Sequence, residues 1–291
     1  VARTIWLASF PRSGNTWFRI LLANLSAKDG KPIDINDLPE RVDSRASARP
    51  PFDNLLLIDS GLLTGDEIDC LRPRVYEELA RGADHEYDGP EEATPVRFAL
   101  VHDAYGPTPR GEPLLAGRRG ADGAILIVRD PRDVAVSFAS YRRTSIDRAI
   151  ALMNNEERAG RLNPDRLGEQ FPQRTLGWSG HAASWLEQTD IPVHLVRYED
   201  MKADPIRTFR GALDFAGQPA SDEEVRRAVA FADFAELRRQ EQEMGFRERS
   251  RPDVPFFRRG TIGAWRDELS AEQAARIETA HAAMMRRLGY G

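Results

Sequence analysis

The sequence predicts a three-layer α/β/α fold around a central parallel sheet, and three observations lead there. Ala124-Ile-Leu-Ile-Val-Arg129 is a continuous apolar run of strand length, the pattern of a parallel strand buried on both faces. Thr4 to Ser9, Val96 to His102 and Pro192 to Tyr198 are further strand-like runs, separated from one another by helical or loop sequence. The first run leads at once into a polar turn and then an apolar helix from Thr16 to Leu25, a strand-loop-helix unit of P-loop type.

That first turn, Pro11-Arg12-Ser13-Gly14-Asn15-Thr16, has an anion binder's composition. Gly14 permits a positive φ or a close backbone approach, and Ser13 and Thr16 add hydroxyl donors. The helix behind it turns free N–H groups and a positive dipole end into the loop, and Arg12 adds a permanent cation. It lacks the first Gly and the Lys of the common G-x-x-x-x-G-K-[ST] loop, and the same composition suits a plain tight turn.

Residues 26 to 60, with Pro32, Pro39, Pro50 and Pro51, read as irregular covering segments, and Arg41, Arg45 and Arg49 as solvent-facing rather than pocket-bordering. Thr64-Gly-Asp-Glu67 is a capping box opening a helix that Pro73 divides, and a polar loop fills 82–95. Val96 to His102 puts Phe98, Leu100 and His102 on one face. His102 ends the strand just where open α/β sheets carry chemistry, although a lone histidine is equally a structural residue.

After Arg129, Asp130 is the N-cap and Pro131 the first residue of a helix bearing Phe138 and Tyr141. Arg129 and Ser137 could share one anion; a strand-end ion pair and an exposed serine are the alternative. Residues 145–172 read as polar helix with a loop at Asn163-Pro164. Leu176 to Gln188 is a helix whose Trp178 and Trp185 lie on one core face. Glu199 begins the next helix, and two more follow at about 221–231 and 234–244. Phe256-Phe-Arg-Arg-Gly-Thr-Ile-Gly-Ala-Trp265 is a loop whose glycines allow a wrap and whose arginines suit phosphate, before a last helix from Ser270 to Leu288.

Composition narrows the function classes. A chain of 291 residues, 41% hydrophobic and without a dividing linker, fits one domain over 1–291. A net charge of −5 argues against bulk nucleic-acid or membrane binding but permits a local basic pocket. Cys70 is the single cysteine, which rules out an internal disulfide or a cysteine-built metal site. With the first strand a few residues from Val1, no signal peptide is expected, and a cytoplasmic enzyme is the expectation.

Four motifs in order give the chain its likeness. Phe10-Pro-Arg-Ser-Gly-Asn-Thr-Trp17, Val128-Arg-Asp-Pro-Arg-Asp-Val-Ala-Val-Ser137, Tyr198-Glu-Asp and Phe257-Arg-Arg-Gly260 with its Gly-x-Trp continuation resemble those of cytosolic-type sulfotransferases that use 3′-phosphoadenosine 5′-phosphosulfate (PAPS). The resemblance implies a PAPS site in which Arg12, Ser13, Gly14, Asn15 and Thr16 take the 5′-phosphosulfate, and Arg129 and Ser137 the 3′-phosphate. It puts Trp17, Tyr198 and Phe234 near adenine and makes Phe257, Arg258, Arg259 and Gly260 the closing loop. It implies His102 as general base, Arg12 as stabiliser of the leaving group, a small-molecule or glycan hydroxyl as acceptor, the desulfonated product PAP, and no metal. Residues 41–60, 103–105 and 145–172, with Phe138 and Tyr141, would line the acceptor pocket.

The chain departs from the family in several ways. Leu100 stands where the family has a lysine, Arg12 where it has another, and Ala232 where it has a hydroxyl residue near the base. The dimer motif would fall on Arg266, Ser270, Ala271 and Ala275 without its glutamate, so that dimer is not inferred. A small-molecule kinase and a PAP-binding protein without catalysis are the competing readings.

Overall fold

The structure is a computed structural model that describes residues 3–27, 30–82, 96–156, 168–249 and 253–291. Strands β1 (Arg3–Ser9), β2 (Ser44–Arg45), β3 (Val96–Val101), β4 (Gly123–Val128) and β5 (Val193–Arg197) form one sheet in the order β2-β3-β1-β4-β5. Every pairing is parallel. The chain leaves β1 for the β3 side and later returns to the β4 side. The carboxyl end of β1 is therefore the switch point where such sheets open a crevice.

Alternation along the strands builds the two outer layers. Ile5, Leu7, Phe98, Ile125 and Ile127 face a core shared with α1 (Asn15–Leu25), α9 (Pro205–Ala216), α10 (Asp222–Phe231) and α11 (Phe234–Met244). Trp6, Ala8, Val101, Leu126 and Val128 face the opposite core, with α4 (Gly65–Gly82), α5 (Pro131–Arg142), α7 (Gly177–Glu187) and α12 (Ala271–Leu288). The predicted three-layer arrangement is the one observed. Trp178 and Trp185 are fully buried in the second core, so truncating either to Ala should cost about 3–5 kcal/mol.

Local signals account for most element ends. The Asp130 side chain accepts from Arg132 N–H with Pro131 at the first turn of α5, and Ser270 with Gln273 closes a capping box on α12. The Thr64 box is made as well, with Glu67 N–H donating to Thr64 Oγ1 and Thr64 N–H to Glu67.

Five expectations need correction. Pro73 does not divide α4, which runs unbroken over 18 residues. Arg72 beside it is completely buried and ion-paired with Asp103 and Asp69, and this tertiary anchorage outweighs one missing backbone bond. The 26–60 region is not wholly irregular: α2 (Glu40–Asp43), β2 and α3 (Arg49–Leu56) lie in it, with Pro50 and Pro51 at the start of α3, where proline is tolerated. The strand at Pro192 to Tyr198 is the sheet's edge strand β5, half-exposed rather than buried, with Leu195 outward. Beyond it, α8 (Tyr198–Ala203) and α9 form two helices where one was expected. The polar helix expected over 145–172 is the short α6 (Ile146–Met153). The Asn163-Pro164 loop and most of the 82–95 loop lie outside the described residues.

Candidate active site

A cavity of about 1140 Å³ opens at the carboxyl edge of the sheet, where β1, β3, β4 and β5 all end. Of the residues singled out in the sequence, Arg12, Gly14, Asn15, Thr16, Trp17, His102, Arg129, Ser137, Tyr198, Phe234, Phe257, Arg258, Arg259 and Gly260 line it. Ser13 does not line it. It is buried below the loop, with its hydroxyl unpartnered.

The β1–α1 loop is strained open. Arg12 takes φ 73° and Gly14 φ 109°, a left-handed region that disfavours side chains. A Cβ at Gly14 would stand 2.6 Å from the Tyr198 ring, so glycine is required twice over. Asn15 Nδ2 stitches the helix start to β1 by donating to Leu7 O at 2.9 Å and Ser9 Oγ at 3.2 Å, while its Oδ1 is buried without a partner.

Arg12 has no carboxylate partner among the described residues. Its guanidinium lies over Tyr141 and Phe256, and its Nε donates to Ser137 Oγ at 3.1 Å. Burial lowers its pKa to about 10, with Tyr141 opposing and Arg129 adding to the shift, so it is a cation at neutral pH. Ser137, expected to share an anion with Arg129, here accepts from Arg12, which links the two predicted anion subsites.

Arg129 lies over the Tyr198 ring, donates to Thr261 O at 3.3 Å, and keeps a buried Nε without a partner. Asp133, one turn into α5, is 3.8 Å from it. Asp133 also accepts from the backbone N–H of Gly263 at 2.8 Å and Trp265 at 2.9 Å, fastening the 256–265 segment to α5. Glu241 on α11 fastens the other end, accepting from Phe256 N–H at 2.6 Å and Phe257 N–H at 3.0 Å. The arginines between are already partnered: Arg258 makes a two-pronged pair with Glu268 and Arg259 reaches Asp267.

Trp17, Tyr198 and Phe234 form an aromatic end. Trp17 meets Tyr198 edge to face and donates Nε1–H to Ala232 O at 2.8 Å. Ala232, expected near the base, thus stands at this aromatic end. Gly260, at φ 62°, has no room for a Cβ, which would lie 2.4 Å from the Phe234 ring. Lys202 lies near the faces of both Trp17 and Phe234. Sequence reasoning missed it, although its i,i+4 spacing from Tyr198 on a helix was a signal.

His102 follows β3 directly. Its Nδ1 lies 2.7 Å from Ser9 O, and since a carbonyl only accepts, Nδ1 carries the proton and Nε2 is left as the basic nitrogen. Burial lowers its pKa, the Ser9 bond opposes and Arg45 adds, so the ring is neutral near pH 7. Behind it His181 is completely buried, and burial lowers its pKa to about 3.

Arg45 and Arg49 depart from the solvent-facing reading. Arg45, in register with Leu100, lines the cavity, while Arg49 is buried over Phe171 and donates to Ser60 Oγ. Asp103 to Tyr105, expected at the acceptor pocket, turn inward: Asp103 pairs with Arg72 and the Tyr105 hydroxyl donates to Asp190 at 2.6 Å. Phe138, Tyr141 and residues 169–173 do line the cavity. Glu248, also missed, binds Arg19, Arg45 and Thr16 at once. Among the described residues no cluster of His, Cys, Asp and Glu could hold a metal, and no helix is long and apolar enough to cross a membrane.

Fold and cavity together define an α/β protein of the strand, loop and helix class, with three aromatics, several arginines and a neutral histidine lining its crevice. The chain belongs to the sulfotransferase family, since a family model described as a sulfotransferase domain matches residues 124–289, more than half its length. It is 26% identical over 161 residues to sulfotransferase 2A6 of Rattus norvegicus, covering 52% of each protein. It is 29% identical over 174 residues to cytosolic sulfotransferase 16 of Arabidopsis thaliana, covering 53% of this chain and 48% of that one. The matches span about half the length of these curated relatives. Among solved structures, mouse sulfotransferase SULT7A1 complexed with PAP superposes with TM-score 0.59 at 19% identity, covering 98% of this chain and 84% of that one. Retinol dehydratase with androsterone and PAP superposes with TM-score 0.55 at 17% identity, covering 97% and 80%. These two likenesses are of fold.

Proposed function

We propose that the chain, acting as one sulfotransferase domain, moves the sulfonate of PAPS to a hydroxyl of a small-molecule acceptor, with His102 as general base. The observation that carries the reading is the shared cavity: Arg12, Gly14, Asn15 and Thr16 of the loop, Arg129, the aromatic trio and His102 all line it. The donor chemistry fits groups left unsatisfied, namely the buried Nε of Arg129 and the carboxylate-free guanidinium of Arg12. PAP in two similar folds supports the choice of nucleotide.

In this reading the 5′-phosphosulfate lies on the N-terminus of α1, where free N–H groups and the helix dipole favour an anion. Arg129 takes the 3′-phosphate, and adenine lies among Trp17, Tyr198 and Phe234. The acceptor oxygen attacks sulfur as Nε2 of His102 takes its proton. The new O–S bond forms while the S–O bond to the 5′-phosphate breaks, and the electron pair leaves on that phosphate. Arg12 and the loop N–H groups stabilise the departing charge. No covalent enzyme intermediate is involved.

Incubation with PAPS labelled in its sulfonate, against a panel of phenols, alcohols and sugars, tests the proposal. Transfer of label to at least one acceptor class is expected. Binding of PAP without transfer, or phosphorylation from ATP, would contradict it.

A further inference from the structure

The guanidinium of Arg45 is placed by two independent constraints. Its strand, β2, pairs with β3 so that Arg45 lies opposite Leu100, two residues before His102, and Leu100 O accepts from Ala46 N–H at 2.9 Å. Its side chain is then turned by Glu248, whose Oε1 accepts from Arg45 and, at 2.7 Å, from the fully buried Arg19. The other oxygen of Glu248 accepts from Thr16 Oγ1 at 3.0 Å. One carboxylate therefore ties Arg45 to the β1–α1 loop. Burial alone would raise Glu248, but Arg19 and Arg45 outweigh it and hold it at about 2, so the tie is ionic throughout the working pH range.

An arginine has five N–H donors, and Glu248 is the one side-chain partner of Arg45 among the described residues. About a quarter of the side chain stays open, and it opens into the cavity. Donors are thus left over on a cation that Glu248 ties to Thr16, on the strand beside the one leading to His102, in the cavity that both residues line. Leu100, on the neighbouring strand, supplies no charge there.

We propose that Arg45 is a substrate-contacting residue that hydrogen-bonds the sulfonate oxygens during transfer. This rests on the sulfotransferase reading above. Sulfonate oxygens gather in a plane as the S–O bond to phosphate lengthens and the bond to the acceptor oxygen forms. A fixed planar donor beside that plane favours the crossing over the ground state. Arg45 has a second effect, because it is the cation facing His102; Asp103, Glu248, His181 and the Ser9 carbonyl are the other groups around that ring.

The test is steady-state kinetics of the wild type, Arg45→Ala and Arg45→Lys across pH, with PAP affinity by calorimetry and an unfolding midpoint for each chain. For Arg45→Ala we expect kcat to fall about 10- to 100-fold while PAP affinity changes less than about threefold. The acid limb of kcat/KM should move to higher pH, because removing a neighbouring cation raises the His102 pKa. Arg45→Lys should recover part of kcat and return the limb towards its wild-type position. Unchanged kcat with an unmoved limb, or a loss of PAP affinity as large as the loss of kcat, would overturn the proposal. A wild type that binds no PAP would instead overturn the reading beneath it, and that is read before any variant.

Discussion

The loop from Phe10 to Thr16 is slung between a buried strand and a buried helix, whereas the segment facing it, Phe256 to Trp265, has no regular structure beyond a 3₁₀ turn at Ala264–Asp267. The first wall is positioned by its own neighbours in sequence. The second is hung from two carboxylates on distant helices, Glu241 and Asp133, each nearly fully buried. Their arginines differ in the same way. Arg12 rests on aromatic rings and pairs with no carboxylate among the described residues. Arg258 and Arg259 are already ion-paired with Glu268 and Asp267, so part of their charge is balanced before any anion arrives. A rigid floor and an adjustable arm together suit a donor that has to enter, react and leave.

Removing the imidazole leaves both walls intact, and here the largest effect is expected. His102→Ala should cut turnover about 10²- to 10⁴-fold, with PAP affinity nearly unchanged. Matching losses in both would make His102 structural. On the floor, Arg129→Ala should weaken PAP about 10- to 100-fold, since a charge-assisted hydrogen bond is worth about 1.5–3 kcal/mol. Adenosine 5′-monophosphate, which lacks the 3′ group, should be little affected; equal weakening of both would refute the subsite. For the arm, Asp133→Asn should raise the KM for PAPS several-fold and speed hydrogen exchange at Gly263 and Trp265, leaving exchange in the Arg12 loop unchanged. Faster exchange in both would show that the walls are not independently held.

How far these walls were legible in the sequence follows from how they are built. The floor depends on local signals: an apolar strand, Gly14 in a left-handed turn, Asp130-Pro131 at a helix start. Each acts within a few residues, so composition and spacing revealed it. The arm's anchors join residues more than a dozen positions apart, 241 to 257 and 133 to 265, and Glu248 meets Thr16 across most of the chain. No periodicity marks such a carboxylate, because each of them sits on a polar stretch that reads as solvated. The misreading of Pro73 has the same origin. Pro73 survives inside α4 because Arg72 is tied to Asp103, a contact visible only after folding.

A further effect, on stability rather than on turnover, concerns two buried histidines. Burial lowers His181 to about 3 and His281 to about 4, against about 6.5 in an unfolded chain. Their contribution to stability is complete above pH 6.5 and is lost as pH falls towards those values. Each removes about 1.4 kcal/mol per pH unit over that window. Urea unfolding at pH 7.5 and pH 5 should show the difference; equal midpoints would mean that these rings are solvated.

Calorimetric titration of the wild-type protein with PAP and with adenosine 5′-monophosphate, side by side in one buffer, goes most directly to the central claim that separate anion subsites grip the two ends of one ribose. PAP should bind at least about tenfold more tightly, the margin one charge-assisted contact supplies. Equal affinities would contradict the account.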